Sequence, residues 1–345
     1  MESQGAIIAR GPRFVMKVVV IGGGVISNKL LSAAPPELQL TCFTVRRLPD
    51  SSGFWGELLE ECRRADIIVY LAYHHRDLPK NMRLLEKILS ALSEADWRGQ
   101  FVFFNTQSVL AGKILKSPKP LKGAFSFDLY TTTKRLQSCL LSRFSRQLNI
   151  SEIYLPVVLG IQTKAQMRYE DISRHNVVYL PNKGANLFAY LELDVFLQWF
   201  WRVYPQRLTE SVVAQEYRKV FVYQGVRSFA DMIGLLRENR RGKSKATVSE
   251  CSSLEIRDCS CRYRFANDMR SSLICGFKMT PIWLMLSVLR NEFKKLLSSE
   301  WDAAVSSANP TTADAPFFPT GAEYQYFCTT IDLDAISFNT IRIES

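Results

Sequence analysis

The stretch "VVVIGGGVISNKLL", residues 18–31, decides the fold of the amino-terminal part of the chain. An apolar run typical of a buried strand is followed by three glycines and then by the apolar spacing of a helix. Gly22, Gly24 and Ser27 fit the pattern Gly-x-Gly-x-x-Gly, with serine in the third place. Such a turn lets the backbone approach a pyrophosphate, which the helix N-terminus then stabilises. The stretch therefore predicts dinucleotide contacts at Gly22, Gly24, Val25, Ile26 and Ser27, against the alternative of an ordinary strand–helix turn.

Short apolar runs alternate with helical patterns through the first half of the chain. The predicted strands are 17–21, 38–45, 66–72, 101–106 and 150–160, and the predicted helices are 55–65, 81–92 and 130–148. Fully apolar strands between helices are typical of a parallel sheet that is covered on both faces. We therefore predict an α/β fold, a Rossmann-type doubly wound parallel sheet, with a smaller irregular C-terminal substrate lobe.

The regularity of the pattern sets the expected domain boundaries. Residues 15–163 and 186–225 are assigned to the dinucleotide-binding Rossmann domain, and residues 164–185 and 226–345 to the substrate-binding lobe. Residues 1–14 lack the apolar core of a signal peptide and precede the first strand, so we expect them to be a disordered extension.

The end of the second predicted strand bears on the choice of cofactor. NAD usually meets an acidic residue there, which holds the ribose 2′-hydroxyl. This chain has "FTVRRLPD" instead, with Arg46 and Arg47, and a guanidinium suits a 2′-phosphate. NADP(H) is therefore the preferred cofactor, with NAD(H) as the alternative if the arginines are plain surface residues.

Tyr130 and Lys134 stand four residues apart in "FDLYTTTKRLQ", and on a helix they share one face. A nearby ammonium favours the phenolate and lowers the pKa of a tyrosine, which then exchanges protons more readily near neutral pH. Taken alone, this spacing is common by chance and more often marks a helix surface.

Several segments, in order along the chain, resemble the extended short-chain dehydrogenase/reductase superfamily, the group of NAD-dependent epimerases and dehydratases. They are "VVVIGGGVISNKLL", "ADIIVYLAY", "PKNMRLLEKIL", "NTQSVL", "YTTTK", "IYLPVVLG" and "NLFAYLELDV". The resemblance covers residues 16–225, and the ordered set carries it rather than any single motif. The chain departs from the family at Ser27, at Leu155 in place of an arginine, at Tyr73 in place of a small residue and in a third strand that is hardly visible. It therefore resembles a divergent member.

The resemblance implies a role for individual residues. Tyr130 would be the general acid/base, Lys134 would lower its pKa and bind the nicotinamide ribose, and Thr106 would hydrogen-bond the reacting oxygen. Further cofactor contacts are implied at Leu71, Ala72, Asn81, Pro156 and Val158.

The resemblance also implies a reaction. Hydride would pass between a nicotinamide and a substrate carbon, and a nucleotide-linked sugar is the expected substrate because much of that family acts on such compounds. The alternatives are reduction of a small apolar ketone or alcohol of steroid or flavonoid type, and a non-catalytic dinucleotide-binding subunit.

Composition limits the remaining classes. The net charge of +11 favours phosphate-bearing partners, yet no nucleic-acid-binding signature is present, so no nucleic acid is expected. The eight cysteines and three histidines show no metal-site spacing, and free thiols in a reducing cytoplasm are the expected state. A peripheral membrane contact and a homodimer are left open.

Overall fold

The computed structural model describes residues 15–44, 52–74, 77–110, 115–116, 129–210, 217–243, 254–258, 317, 327 and 330–344. The predicted extension 1–14, Arg46 and Arg47 lie outside these residues, as does much of the predicted lobe. Everything that follows concerns the described residues.

A seven-stranded sheet, parallel throughout, forms the centre of the molecule. Its strands are β1 (Lys17–Ile21), β2 (Gln39–Phe43), β3 (Ile67–Tyr70), β4 (Gln100–Thr106), β6 (Asn149–Leu155), β10 (Tyr217–Tyr223) and β14 (Asn339–Arg342). Across the sheet they run in the order β14-β10-β6-β4-β3-β1-β2. The prediction of a doubly wound parallel sheet is confirmed.

Helices cover both faces of this sheet. They are α1 (Val25–Ser32), α2 (Ser52–Arg64), α3 (Leu78–Glu94), α4 (Leu129–Phe144) and α6 (Leu193–Glu210). Two further helices, α5 (Lys164–Ile172) and α7 (Phe229–Lys243), pack against smaller strands outside this sheet. Side chains of α2, α3 and α4 share one apolar core with alternate strand residues such as Val19 and Ile21. Side chains of α1 and α6 share the other core with Val18 and Val20. Successive side chains of β1 thus enter opposite cores, which explains why all four of its buried positions are apolar.

The order of the strands places a ligand crevice. From β1 the chain moves to β2 on one side, and then to β3 and β4 on the other. In open α/β sheets, ligands bind outside the carboxyl ends of the strands at such a switch point. Here the carboxyl ends are those of β1 and β3, where the main-chain N–H of Leu71 donates to Ile21 O at 2.8 Å.

The remaining strands form small sheets beside the main one. They are β5 (Leu115–Lys116), β7 (Val157–Leu159), β8 (Val177–Leu180), β9 (Leu187–Glu192), β11 (Gly225–Ser228), β12 (Glu255–Asp258) and β13 (Thr330–Ile331). The strands β11, β9 and β7 form one sheet, β12 pairs with β8, and β13 pairs with β5. A separate apolar core joins α5, α7, β8 and β9.

One segment does not lie where the sequence placed it. Residues 339–342, assigned to the lobe, form β14 and pair in parallel with β10 as the edge strand of the main sheet. Ile343, directly after this strand, is 4% exposed and packs in the core that α6 covers. A four-residue strand with polar neighbours carries too weak an alternation to be found from the sequence.

Candidate active site

An open cleft lies at the carboxyl edge of the main sheet. Residues predicted from the sequence that line it are Ile26, Leu71, Thr106, Tyr130, Lys134, Pro156 and Val158. The other lining residues are Tyr73, Phe104, Asn105 and Leu155. The ends of β3, β4 and β6 and the first turns of α1 and α4 thus converge on one place.

The glycine turn lies next to the cleft, which it approaches through Leu71 and Ile26. Gly22 has a φ of +155°, and a Cβ placed on it would lie 3.1 Å from the Cβ of Leu71 and 2.9 Å from the hydroxyl of Ser27. Ser27 is 2% exposed, and its hydroxyl lies against Gly22. The tight turn therefore accommodates a serine in the third position of the pattern. Gly22 is therefore needed for packing inside the protein.

Gly24 differs from Gly22 in its surroundings. A Cβ at Gly24 would meet nothing within 4 Å, and this residue begins α1 without a side-chain cap. The first N–H groups of a helix have no partner within the helix, so an anion beside them is stabilised. The open space at Gly24 and the uncapped start of α1 fit the pyrophosphate of a dinucleotide.

Thr106 ends β4 at the middle of the cleft. Its hydroxyl accepts a hydrogen bond from the hydroxyl of Ser108 at 3.3 Å, and the hydroxyl of Thr131 in turn donates to Ser108 at 3.1 Å. Thr131 directly follows Tyr130 in the first turn of α4. A chain of hydroxyl groups therefore links the end of β4 to the start of the helix that carries Tyr130 and Lys134.

Tyr130 lies in the first turn of α4 and is half-buried. The ring of Tyr73, from the loop after β3, packs against it edge to face, with 4.8 Å between the centroids. Both rings line the cleft, so the ring of Tyr73 occupies part of the cleft beside Tyr130. The sequence singled out Tyr73 only as a departure from the family.

Lys134 lies one turn after Tyr130 and is 3% exposed. Its ammonium donates to the carbonyl of Phe104 at 2.8 Å and lies 4.4 Å from the ring centroid of Phe103. Burial lowers the pKa of Lys134 to about 7, and the negative charge of Glu152 opposes this shift. We therefore expect Lys134 to gain or lose its proton near neutral pH.

Asn81 is completely buried near the start of α3, and its amide is used by backbone groups. It accepts from the N–H of His74 and donates to the carbonyls of His74 and Asp77, each at 2.7 Å. Asp77 also caps α3 by accepting from the N–H of Lys80 at 2.9 Å. Asn81 thus holds the loop that presents Tyr73, and any cofactor contact of its own stays a prediction.

Two further predicted contacts are internal. Ala72 is 1% exposed and Ser27 is 2% exposed. Neither lines the cleft, whereas Pro156 and Val158 do.

Sequence reasoning missed a buried polar group behind the cleft. Glu152 is fully buried in β6, and Asn105, which precedes Thr106, donates to its carboxylate. The only signal in the sequence was a charged residue inside the apolar strand "ISEIYLP". The partners of Glu152 come from distant parts of the chain, so this signal did not identify them.

Two kinds of feature are absent from the described part of the chain. No group of three or more His, Cys, Asp or Glu residues there could hold a metal ion. None of its helices is long and apolar enough to cross a membrane.

Comparisons with known proteins show the fold. No protein-family model matches the chain, and no curated protein matches it significantly. The solved structure of dTDP-4-dehydrorhamnose reductase from Bacillus anthracis in complex with NADP is 10% identical, with a TM-score of 0.50, over 73% of this chain and 86% of that one. At this identity the likeness shows a shared Rossmann-type fold.

Two other solved structures are similar to this chain. An epimerase from Methanothermobacter thermautotrophicus is 14% identical, with a TM-score of 0.49, over 74% of this chain and 87% of that one. UDP-glucose 4-epimerase from Thermotoga maritima, solved with UDP-glucose, is 14% identical, with a TM-score of 0.47, over 70% of this chain and 88% of that one.

Proposed function

We propose that this protein is an NAD(P)-dependent oxidoreductase or epimerase of the extended short-chain dehydrogenase/reductase superfamily, acting on a nucleotide-linked sugar. The observation that carries the proposal is the meeting of Thr106, Tyr130 and Lys134 in one cleft at the carboxyl edge of the sheet. The glycine turn lies next to this cleft, because Gly22 packs against the cleft residue Leu71. A Rossmann sheet alone hosts many functions, so the argument depends on these side chains.

A nicotinamide dinucleotide fits the cleft. Its pyrophosphate would meet the open backbone at Gly24 and the start of α1, while Pro156 and Val158 would line the nicotinamide end. When bound, the cofactor supplies or accepts a hydride, which no amino-acid side chain can do. NADP(H) is preferred because of Arg46 and Arg47 in the sequence, and this preference rests on the sequence alone.

The residues of the cleft have distinct tasks in this proposal. Tyr130 exchanges a proton with the substrate hydroxyl or carbonyl oxygen, and Thr106 donates a hydrogen bond to the same oxygen. Lys134, charged below about pH 7, favours the phenolate of Tyr130 and binds the ribose. The net charge of +11 favours a substrate that carries a diphosphate.

The first test is binding of the cofactor to the full chain. We expect NADPH to bind more tightly than NADH in a fluorescence titration. Tighter binding of NADH would overturn the argument from Arg46 and Arg47. If neither dinucleotide binds, the cofactor and the enzymatic function both fall.

The second test is turnover with sugar nucleotides. Tyr130→Phe should abolish turnover and leave NADPH binding within about threefold of wild type, because it removes only the proton donor. Thr106→Val should lower turnover by roughly 10²-fold or more, and Thr106→Ser, which keeps a hydroxyl, should restore most of it. A Tyr130→Phe variant with full turnover would refute the assignment of the acid/base.

A further inference from the structure

Glu152 is a buried ionisable residue for which the proposed reaction has no task. It lies in β6, within the face of the sheet that α4 covers, and it is 0% exposed. Burying a carboxylate costs free energy unless hydrogen bonds and opposite charges compensate for the lost water. An apolar side chain, as at the neighbouring Ile150 on the same face, would form the core at lower cost.

Both oxygens of the Glu152 carboxylate accept hydrogen bonds. Its Oε1 accepts from the amide of Asn105 and from the hydroxyl of Ser138, the latter at 2.6 Å. Its Oε2 accepts from the hydroxyl of Tyr217 at 2.6 Å and lies 3.7 Å from the ammonium of Lys219. A carboxylate held from three other elements keeps one position and one orientation.

One branch of this network ends at Thr106. Because the Nδ2 of Asn105 donates to Glu152, the Oδ1 of Asn105 is turned towards the N–H of Thr106, from which it accepts at 2.8 Å. The direction of the Asn105 amide is therefore set by the carboxylate. The backbone of Thr106 is fixed through Asn105.

The other branch leads to α4. Ser138, which donates to Glu152, follows Lys134 by one helical turn and lies on the same face of α4. Burial lowers the pKa of Lys134, and the negative charge of Glu152 partly offsets this shift. The negative charge of Glu152 thus favours the charged form of Lys134.

We propose that Glu152 is a positioning residue for the cleft, which fixes Thr106 through Asn105 and supplies a buried negative charge, on the face that α4 covers, that favours the charged form of Lys134. The task of both target residues rests on the proposed function. The position of the carboxylate and its effect on Lys134 are measurable without any cofactor.

Several described titratable groups lie around the carboxylate of Glu152, and their pKa values decide which of them can respond in a pH titration. Tyr217 and Lys219 approach from β10, Tyr154 from β6 itself, and Lys134 from α4. Burial, together with the charge of Glu152, raises the pKa of both tyrosines further above the usual value for tyrosine, so they keep their protons at neutral pH. The pKa of Lys134 is lowered to about 7, so a charge change near neutral pH is expected of this lysine.

The test is a nuclear magnetic resonance titration of the full chain with isotope-labelled lysine. The signal of Lys134 is assigned as the one that Lys134→Met removes. Glu152→Gln keeps the shape of the side chain and removes its charge, so the midpoint of Lys134 should fall by about one pH unit or more. Ser138→Ala is the matched control, because it removes a hydrogen bond to the same carboxylate, keeps the charge and should leave the midpoint within about 0.3 units.

A second variant tests the other branch and does not depend on the folding of Glu152→Gln. Asn105→Ala should speed hydrogen exchange at the Thr106 amide at least tenfold, because that N–H loses its acceptor, and it should leave the Lys134 midpoint in place. An unchanged Lys134 midpoint in Glu152→Gln, or unchanged exchange at Thr106 in Asn105→Ala, would overturn the proposal. A wild-type chain that titrates as expected but binds no NADPH would refute the proposed function and leave this inference standing.

Discussion

Two regions beside the cleft are built in opposite ways: the glycine turn before α1, called here the glycine end, and the buried polar side chains around Lys134 and Glu152, called here the polar end. At the glycine turn, the geometry comes from side chains that are missing: a Cβ at Gly22 would crowd Leu71, and the space at Gly24 is open. At the other end, the geometry comes from polar side chains that are buried, with Lys134 and Glu152 both nearly or fully inaccessible. The first end should therefore be sensitive to added volume, and the second to lost hydrogen bonds and to pH.

The largest expected effects come from adding one methyl group at the glycine turn. Gly22→Ala should lower the free energy of unfolding by about 1–3 kcal/mol, because its positive φ is strained for alanine and the new Cβ meets Leu71. Gly24→Ala should cost less than about 1 kcal/mol, since alanine is only a poorer N-cap, and should still weaken NADPH binding at least tenfold. Urea unfolding and NADPH titration of both variants separate packing from binding.

The pair gives a clear outcome in either direction. A Gly24→Ala variant that binds NADPH as wild type does would show that no pyrophosphate lies at this turn. A Gly22→Ala variant of wild-type stability would show that Ser27 and Leu71 are not packed as closely as described.

The next effect concerns lost hydrogen bonds in the loop that presents Tyr73. Asn81→Ala removes three hydrogen bonds to backbone groups of His74 and Asp77, and it leaves those groups without their partner. We expect a loss of about 1–3 kcal/mol in the free energy of unfolding. The control is Arg83→Ala, an exposed position on the same helix, which should change stability by less than about 0.5 kcal/mol. Equal stability of the two variants would contradict the role given to Asn81.

The pH dependence of stability tests the burial of Lys134. In the folded protein its pKa is lowered to about 7, whereas an unfolded lysine keeps its proton to about 10.4. Between these values the unfolded state binds more protons, so stability rises with pH. The free energy of unfolding of wild type, relative to Lys134→Met, should therefore rise by about 1–2 kcal/mol from pH 7 to pH 8.5. A constant difference would mean that folding does not lower the pKa of Lys134.

The sequence predicted the glycine end better than the polar end. The strand, the glycines and the helix of residues 18–31 are local in the chain, so their pattern was enough to predict β1, the turn and α1. The polar end depends on Asn105, Ser138, Glu152 and Tyr217, which come together only when β4, α4, β6 and β10 pack. A glutamate inside an apolar strand signals a buried charge, but its partners cannot be identified before the sheet order is known.

The smallest expected effect concerns the contact between the rings of Tyr73 and Tyr130. Tyr73→Ala removes the ring that packs on Tyr130, and an aromatic pair of this kind is worth about 0.5–1.5 kcal/mol of stability. Because this ring and a bound nicotinamide would occupy the same cleft, the variant should also bind NADPH a few-fold more tightly. Tyr73→Phe, which keeps the ring, should match wild type in both measurements. Weaker NADPH binding by Tyr73→Ala would instead mean that the ring contacts the cofactor, and that Tyr73 belongs to the binding surface of the cleft.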